Sequence, residues 1–466
     1  MTDRERQHII LFAITSTQFA VPFMLSAVAV ALPAIGAEFH SGAVALSLVE
    51  STFIATTAMF LLPFGRYADL KGHAPLFAKG LWSFCVTTLL LALAPNMPMF
   101  IALRIVQGAG GAMTLATGLA MLMNAYPREE RGRALGIGTA GVYLGLSAGP
   151  FLGGILTSAL SWRAVFFMGL PPLLLALFFV RRLNRLEHQT LDEPFDLPGA
   201  LLSGLGIGLI VGGSAAFAFL AGRIALGAGL LCLGGFVWWE SRHPAPLLDM
   251  KLLRNNRPFA LGCLVQYINY AASFSMTFLM SLYLQCGRGI SPYEAGTVLV
   301  MQPLVQAALS PFCGRLADKY PPHLIATAGM AVVTAALAMA AGFDADTGNA
   351  LIYAMLAVMG TGIALFASPN ATVIMGSVPS RNFGVASAMT GGMRTTGMTS
   401  SMVLVSLVLT HFLGHDAVSV ENFGGYLKVM RLLLTGFTVL SAVGVLLSLR
   451  GSLNRRPAPK NGEPEG

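Results

Sequence analysis

In the first half of the chain, one carboxyl group and one guanidinium lie deep inside long apolar segments, where they could take part in proton exchange. Of the 21 Asp and Glu residues, we place only Glu50 well inside such a segment, and Arg104 lies at a similar depth in a later one. Burial raises the pKa of a carboxyl group and a nearby arginine lowers it, so a pair whose separation changes can bind and release a proton. The alternative is a fixed ion pair that offsets the cost of burial, about 2–3 kcal/mol for each group.

Other polar side chains within the apolar segments are candidates for binding a small molecule. Their amide, hydroxyl and guanidinium groups could orient a ligand between apolar walls rich in Met and Phe, or could simply hydrogen-bond neighbouring helices. The candidate cavity residues are Gln18, Gln107, Gln266, Asn269, Tyr270, Gln302, Gln306, Asn370 and Arg394. We single out the cluster of Gln266, Asn269 and Tyr270 because it opens the second group of apolar segments.

No pattern in the sequence supports enzymatic chemistry. Residues 145–149 match the Gly-x-Ser-x-Gly nucleophile elbow of hydrolases formally, but no strand precedes them and no Asp follows in a plausible position. The sequence holds no cluster of metal-ligating residues, no nucleophile–base spacing and no Gly-Lys-Ser/Thr loop for the phosphates of ATP. It therefore predicts no enzyme, no cofactor, no metal and no direct use of ATP.

Composition places these residues in a membrane. Hydrophobic residues make up 55% of the 466 positions and charged residues only 11%, whereas a soluble domain carries roughly 25% charged residues. Mean hydropathy is +0.70. Apolar runs of about 20 residues recur about fourteen times, and each is long enough to cross about 30 Å of hydrocarbon as a helix. The predicted fold is an all-α integral membrane protein.

The net charge of +8 is distributed as expected of a multi-pass membrane protein rather than of a nucleic-acid-binding one. With the N-terminus in the cytoplasm, most of the 29 Lys and Arg residues fall on inner loops and tails. This bias fits the positive-inside rule with both termini cytoplasmic and an even number of spans. The first apolar run has a charged head but no clear cleavage site, so we interpret it as a retained span. No nucleic-acid partner is predicted.

A short signature appears once in each half of the chain. Gly65-Arg66-Tyr67-Ala68-Asp69 and Gly314-Arg315-Leu316-Ala317-Asp318 each stand where an apolar run gives way to a charged loop. A second pattern, Pro-x4-Gly-x-Ala, starts at Pro127 and again at Pro379. Two related halves in a very hydrophobic chain are typical of secondary transporters, whose substrate site lies between the halves.

The repeat divides the chain into four parts. Residues 1–185 are predicted to form an N-terminal six-helix bundle, and residues 258–450 a C-terminal six-helix bundle. Residues 186–257 hold linkers and two inserted membrane helices. Residues 451–466, with Pro and Gly and no apolar run, are predicted to form a disordered cytoplasmic tail. Six, two and six helices make up the expected total of about fourteen.

Several motifs together resemble those of the major facilitator superfamily. Gly65 to Gly72 resembles its motif A, and Arg104 to Gly110 resembles its motif B. The run from Gly141 to Pro150, with Gly153 beyond it, resembles motif C, which is characteristic of antiporters. Trp162-Arg163 follows in the register of the fourteen-span drug:proton antiporter family. The resemblance covers nearly the whole chain and implies the major facilitator fold, with two six-helix bundles plus two inserted helices.

The resemblance also implies a conformational latch in motif A. The latch residues would be Gly65 and Asp69 with their repeats Gly314 and Asp318, because the family uses such an acid between its two bundles. The acid could cap a helix N-terminus, a contact worth about 0.5–2 kcal/mol; the alternative is a solvated loop charge. Positions 67, 70 and 73 depart from the family pattern, which predicts a weaker latch at Asp69.

Motif C places four glycines on one face of a single helix. Gly141, Gly145, Gly149 and Gly153 follow at steps of four residues, with Pro150 beside them. Such a stripe allows two backbones to approach closely, and the proline can bend the helix. We expect this antiporter motif at a contact between the two bundles that opens and closes; ordinary helix packing is the alternative.

Residues that the family commonly uses are missing at three positions. Met24 stands where the family has an acid in the first span, and Ala29 and Gly169 stand where an Asn is common. These departures argue against the family's standard arrangement for binding cations and protons. They favour an apolar, neutral or anionic substrate.

Three functional classes remain, and the first is preferred. The chain is predicted to be a proton-coupled exporter of drug-like or amphipathic small molecules that works by alternating access, with Glu50 and Arg104 as its proton-coupling residues. The second class is a carrier of a specific endogenous metabolite or lipid, and the third is a membrane sensor or intramembrane enzyme. The expected partners are a small-molecule substrate, protons and membrane lipid. A monomer is expected, in the plasma membrane or in the inner membrane of a Gram-negative cell.

Overall fold

The computed structural model describes residues 3–41, 43–183, 193–215, 219–248, 250–290, 292–413 and 423–453, and the regular structure in these ranges is helical. The helices are α1 (Asp3–Glu38), α2 (Ala43–Lys71), α3 (His73–Ala92), α4 (Met97–Ala125), α5 (Arg131–Ala159), α6 (Trp162–Leu183), α7 (Leu197–Ala215), α8 (Leu220–Glu240), α9 (Met250–Asn255), α10 (Arg257–Ser273), α11 (Met276–Leu282), α12 (Pro292–Leu299), α13 (Met301–Lys319), α14 (Pro322–Ala341), α15 (Asn349–Gly376), α16 (Phe383–Leu413) and α17 (Phe423–Leu453). A turn of π-helix, Tyr283–Gly287, extends α11. Linker residues 186–192 and tail residues 454–466 lie outside the described residues.

Local sequence sets several helix ends. Asn96 and Asn256 precede α4 and α10, and each side chain accepts a hydrogen bond from a first-turn amide, that of Met99 at 3.0 Å or Phe259 at 3.1 Å. Such caps satisfy amides that have no partner inside the helix. Gly72 has φ 98°, a conformation that favours glycine, and it separates α2 from α3. The chain therefore reverses just after the acid of the first motif.

Two bundles, α1–α6 and α10–α17, meet closely on the side where α2 ends, called here the Asp69 side. The largest apolar core fills the first bundle and continues on this side into the second, through Phe259, Ile374 and Phe383. Another core, around Tyr283, fills the remainder of the second bundle. The apolar contact between the bundles is thus concentrated at one end of the helices.

The inserted helices α7 and α8 lie against each other, and α7 lies against α2. Met59 of α2 fills the space left by Gly204 and Gly208 of α7. Just before α7, Phe195 meets Tyr67 edge to face, with ring centres 6.0 Å apart. The inserted pair is therefore attached to the helix that carries the first copy of the repeated motif.

The glycine stripe of α5 packs inside its own bundle, which corrects the expectation that it lies between the bundles. Gly141, Gly145, Gly149 and Gly153 lie against α1, where they face Thr15, Phe19, Ser26 and Ala27. Helix α5 meets the second bundle through a different face, at Gly132 and Gly136. The five-residue step from Gly136 to Gly141 turns the stripe about 140° around the helix, away from that contact.

In the described part of the chain, eleven helical segments are long and apolar enough to cross a membrane. They are α1 to α6, α8, the joined α12–α13, α14, α15 and α17, and α7 is a shorter apolar helix. Two further elements fall short of the same criterion. Helix α10 ends at Ser273, before the short α11, and α16 carries Arg394 among Thr, Ser and Gly residues. By length and composition alone, the described residues thus give eleven candidate spans, and the expected total of about fourteen stays a prediction.

Candidate substrate path and the contacts between bundles

Asp69, near the end of α2, joins the first bundle to the second. Its carboxylate accepts hydrogen bonds from the backbone N–H groups of Gly384 (2.6 Å) and Val385 (2.9 Å) in the first turn of α16. These amides lack partners in their own helix and lie at the positive end of its dipole, so they suit a carboxylate. Asp69 is 4% exposed, and Nε2 of His73 lies 3.1 Å from its Oδ1. The acid is held between the bundles, away from solvent.

Asp318 makes the equivalent contact from the second bundle to the first. Near the end of α13, its carboxylate accepts hydrogen bonds from the backbone N–H groups of Gly132 (2.6 Å) and Arg133 (2.8 Å) in the first turn of α5. Asp318 is only partly buried. The repeat in the sequence corresponds to a repeat of contacts, and both contacts lie on the Asp69 side.

Glycines beside each acid allow the helices to touch. A side chain at Gly65 would place its Cβ 2.6 Å from the carbonyl oxygen of Gly384. Gly314 and Gly132 face each other in the same way, and a Cβ on either would overlap the carbonyl oxygen of the other. The absence of a Cβ lets the two backbones come close enough for each carboxylate to reach its amides.

Further hydrogen bonds cross between the bundles on this side. The hydroxyl of Ser368 donates to the Gly132 carbonyl at 3.3 Å, and that of Ser387 donates to the Leu115 carbonyl at 3.0 Å. Gly391 of α16 also lies against the side chain of Leu61 in α2. Together with the two aspartates, these contacts join the bundles across the Asp69 side.

On the opposite side, Glu38 connects α1 to α6 within the first bundle. Its Oε2 accepts a hydrogen bond from Nε1 of Trp162 at 2.7 Å and pairs with Arg163 at 2.7 Å. The hydrogen bond from Arg163 is the main cause that holds the pKa of Glu38 below its usual value. This connection fixes the start of α6 without involving the second bundle.

Glu50 and Arg104 lie near each other in the first bundle, but no ion pair among the described residues joins them. Arg104 is fully buried. Its Nε donates to the Val49 carbonyl at 3.2 Å and its Nη1 to Oε1 of Gln107 at 2.8 Å. Oε1 of Glu50 and Nη2 of Arg104 are buried and have no hydrogen-bond partner among the described residues. The charge of Arg104 still acts on Glu50, so the two groups interact across a gap.

A cavity of about 780 Å³, including the part continuous with solvent, lies between the bundles. Helices α1, α3, α4 and α5 line one wall, and α10, α15 and α16 line the other. The polar lining consists of Thr17, Gln18, Thr114, Thr139, Tyr143, Gln266, Tyr270, Ser387, Thr390 and Arg394. Apolar side chains, including Phe77 and Val142, make up much of the remainder. A concave, mainly apolar site with a few polar groups is typical of small-molecule binding.

The structure brings four of the nine candidate cavity residues to this lining, Gln18, Gln266, Tyr270 and Arg394. Gln107 instead accepts a hydrogen bond from Arg104. Asn370 donates one to Gln266 at 2.8 Å and supports the lining from behind. Asn269, Gln302 and Gln306 are buried outside it. Within the described ranges, both side-chain polar atoms of Asn269 lack a hydrogen-bond partner.

Sequence reasoning missed most of the hydroxyl groups of the lining, because Ser and Thr also bond to their own helix and carry no distinctive spacing. Tyr143 is the most informative of them. Its hydroxyl interacts with Tyr270 of the other bundle and lies in the field of Arg394. A signal was available, since Tyr143 is an aromatic hydroxyl inside the glycine-rich motif C. Motif C thus reaches the cavity through its tyrosine rather than through its glycines.

Two of the departures from the family pattern, Met24 and Gly169, contact each other. Met24 is 1% exposed, and a Cβ at Gly169 would overlap its sulfur. Gly169 therefore leaves the space that the Met24 side chain occupies. Where the resemblance implies an acid and an amide, this chain has an apolar contact.

Comparisons with known proteins agree with this architecture. The family model described as Major Facilitator Superfamily matches residues 14–402 and 262–465. Riboflavin transporter RibZ of Clostridioides difficile (strain 630) is 30% identical over 365 residues, covering 76% of this chain and 78% of that protein. Multidrug resistance protein Stp of Mycobacterium tuberculosis (strain ATCC 25618 / H37Rv) is 29% identical over 390 residues, covering 82% and 72%. The tetracenomycin C resistance and export protein of Streptomyces glaucescens is 28% identical over 388 residues, covering 82% and 71%.

Solved structures share the fold at much lower identity. The human organic anion transporter MFSD10 (TETRAN) superposes with a TM-score of 0.69 at 12% identity, covering 96% of this chain and all of that one. The proton:xylose symporter XylE superposes with a TM-score of 0.63 at 14% identity, covering 96% of each chain. At these identities the likeness establishes the arrangement of helices and nothing about the substrate.

Proposed function

Because the chain belongs to the major facilitator superfamily of transporters, we propose that it is a proton-coupled exporter of drug-like or amphipathic small molecules that works by alternating access. The observation that carries this proposal is the pair of Asp69 and Asp318 contacts, which join the bundles on one side of a central cavity. Resistance and export proteins among the relatives support transport of the substrate out of the cell.

In this proposal the chain crosses the membrane about fourteen times, because α7, the joined α10–α11 and α16 add to the eleven segments found by length and composition. Residues 1–185 and 258–450 are the two moving bundles, and residues 186–257 carry the inserted pair. Both termini lie in the cytoplasm, so the Asp69 side faces inward in the plasma membrane or bacterial inner membrane. The protein works as a monomer, since one chain supplies both walls of the cavity.

Asp69 and Asp318 act as latches in the cycle. While their amide bonds hold, the Asp69 side is closed and the cavity can communicate only with the opposite side. Hydrogen bonds to charged groups contribute about 1.5–3 kcal/mol each. When the bundles separate, water solvates both the carboxylates and the helix amides, so the net difference between the two states stays small enough to be crossed repeatedly.

Glu50 is the proposed proton site, and α2 connects it mechanically to the first latch. Glu50 and Asp69 lie 19 residues apart on α2, which corresponds to about 28 Å along the helix. Release of Asp69 would tilt α2 against α4, which carries Arg104, and so change the distance between Glu50 and the guanidinium. The carboxylate is favoured when Arg104 is close, and the protonated form is favoured when Arg104 is far away.

Purified protein in liposomes tests the coupling, with ethidium and riboflavin as probes and an imposed pH gradient. Wild-type protein should move at least one probe uphill. Glu50→Gln should abolish uphill transport while exchange of the same probe continues, because Gln keeps the size of the side chain but cannot exchange a proton. Arg104→Ala should also reduce the yield of folded protein, since it removes bonds to Val49 and Gln107.

Glu38→Gln is the matched control, because Glu38 lies at the C-terminal end of α1, where its side chain accepts hydrogen bonds from Trp162 and Arg163 that a Gln oxygen can also accept. It should transport as the wild type does. If Glu50→Gln drives uphill transport at the wild-type rate, the proton site lies at another acid.

A second candidate function is a carrier dedicated to one metabolite. It is favoured by the 30% identity to a riboflavin transporter. Saturable movement of riboflavin alone, with no movement of ethidium or other unrelated dyes, would select this function over multidrug export.

A further inference from the structure

The central cavity contains an uneven distribution of charge. Among the described residues that line it, Arg394 is the one charged side chain, and no Asp or Glu contributes to the lining. Glu50, the acid placed deepest in the first bundle, lies outside it. The position where an acid is expected in α1 holds Met24, which is packed against Gly169. The cavity is therefore positively charged and has no carboxylate to receive a cation.

Arg394 differs from the other arginines near the bundle interiors. Arg104 is bonded to Val49 and Gln107, and Arg66 pairs with Glu193 at 2.5 Å. In the described part of the chain, Arg394 takes part in no hydrogen bond and in none of the ion pairs. A guanidinium carries five N–H donors in a planar fork that matches a carboxylate or sulfonate. Placing it midway along α16 without a partner is costly in a membrane protein and typically marks a ligand path.

The surroundings of Arg394 fit an anionic group attached to an apolar body. Tyr143 and Tyr270 bring hydroxyls from both bundles near the guanidinium, and each can donate a hydrogen bond to an acid oxygen. Ile14, Phe77 and Val142 line other parts of the same cavity and can cover an aromatic ring. Because Arg394 lies on α16 and Tyr143 on α5, one anion could contact both bundles at once.

We propose that Arg394 binds the acid group of an amphipathic organic anion, a carboxylate or sulfonate, and that the cavity prefers such anions over cations of the same shape. This assignment names the substrate class of the transporter and rests on the transport function proposed above.

Three naphthalene compounds of nearly equal size test the preference: 2-naphthoate, 2-naphthamide and 2-naphthylmethylammonium. Their binding to the purified full-length protein in lipid nanodiscs can be measured by calorimetry and by naphthyl fluorescence. Wild-type protein should bind the anion at least about tenfold more tightly than the amide, equivalent to about 1.4 kcal/mol, and the ammonium most weakly. This preference should decrease as salt rises, because screening weakens the ion pair.

Variants of the protein test whether Arg394 causes the preference for the anion. Arg394→Gln should remove the preference for naphthoate over naphthamide while leaving the affinity for naphthamide within about threefold, roughly 0.7 kcal/mol. Arg394→Lys keeps the charge and should retain most of the preference, which separates a role in binding from a role in folding. Arg431→Gln, at an exposed arginine of α17, is the control and should behave as wild type. All variants are compared as monodisperse protein.

The outcomes separate this inference from the proposed function. Equal affinity of the wild-type protein for anion and amide, a preference for the ammonium, no binding of naphthoate, or an unchanged preference in Arg394→Gln would each overturn it. Export of ethidium by a protein that does not prefer naphthoate would leave export standing and remove the anion site. Arg394-dependent binding of naphthoate in a protein that transports neither ethidium, riboflavin nor naphthoate itself would keep the site and remove the transport proposal.

Discussion

The Asp69 and Asp318 contacts have the same hydrogen-bonding pattern and different surroundings. Each carboxylate accepts two amide hydrogen bonds of between 2.6 and 2.9 Å from the first turn of a helix in the other bundle. Asp69 is buried and has His73 beside it, whereas Asp318 is partly exposed. The residue four positions after Asp318 is Pro322, which has no side-chain donor. The repeat sets the geometry of the contact, and the environment sets its strength.

The inserted helices account for part of this difference. Arg66 and Tyr67, beside Asp69, contact Glu193 and Phe195 in the segment that leads into α7. These contacts shield the first latch and attach α7 to the end of α2. We therefore expect the Asp69 contact to be the stronger of the two. The departures at positions 67, 70 and 73 predicted a latch weaker than the family's, and that comparison stays a prediction. The family resemblance could not reveal that Glu193 and Phe195 contact the end of α2 in this chain.

Placing a larger side chain between the helices at either contact should have the largest effect on transport. Gly384→Leu would overlap the carbonyl of Gly65 and approach Asp69, and Gly132→Leu would overlap the carbonyl of Gly314. Each should separate the bundles on the Asp69 side and lower transport at least about tenfold, equivalent to about 1.4 kcal/mol. Double electron–electron resonance can measure the distance between spin labels at exposed positions 129 and 381, in a background without native cysteines. That distance should be longer in each variant than in the wild type.

Two other glycines serve as controls for this experiment. Gly392→Leu should leave the distance unchanged, because no described atom outside its own helix lies within 4 Å of a Cβ at that position. Gly149→Leu should instead lower the amount of folded protein, since the new side chain would overlap Ser26 within the first bundle. An unchanged distance in Gly384→Leu would mean that the Asp69 contact does not hold the bundles together.

Removing each charge compares the two contacts directly. Asp69→Asn and Asp318→Asn keep the size of the side chain but lose the charge and replace one acceptor oxygen by a donor. Leaving a buried amide unsatisfied costs about 1–3 kcal/mol, and water can offset more of this cost at the partly exposed Asp318. The open population in the spin-label experiment should therefore rise more in Asp69→Asn than in Asp318→Asn. Equal shifts would show that burial and His73 add nothing, and the opposite order would reverse the comparison.

His73→Ala should have the smallest effect. It removes the 3.1 Å contact to Asp69 but leaves both amide hydrogen bonds, so the open state should gain less than about 1 kcal/mol. A double-mutant cycle with Asp69→Asn isolates this contribution. The effect of His73→Ala should vanish in the Asp69→Asn background. An equal effect in both backgrounds would mean that His73 acts on α3 rather than on the latch.

The sequence indicated much of the arrangement, with clear limits. Gly65, Asp69, Gly314 and Asp318 were recognisable because the same signature stands at the end of an apolar run in each half. The glycine stripe of motif C was assigned to the wrong contact, since periodicity shows which residues share a helix face and not which neighbour that face meets. Polar residues inside spans raised the same difficulty. Gln107 and Gln266 look alike in the sequence, yet only Gln266 lines the cavity.

The sequence by itself determined that this protein is helical, lies in a membrane and consists of two related halves, because hydropathy, charge bias and repeated motifs are read along the chain. Only the tertiary structure decided which polar groups meet and which remain without a partner. It bonded Arg104 to Gln107 and Val49, packed Met24 over Gly169, and left Arg394 in the cavity with no ion-pair partner in the part of the chain that the structure describes. These outcomes depend on how each helix is rotated about its axis against its neighbours. That rotation is set by the packing of all the helices together.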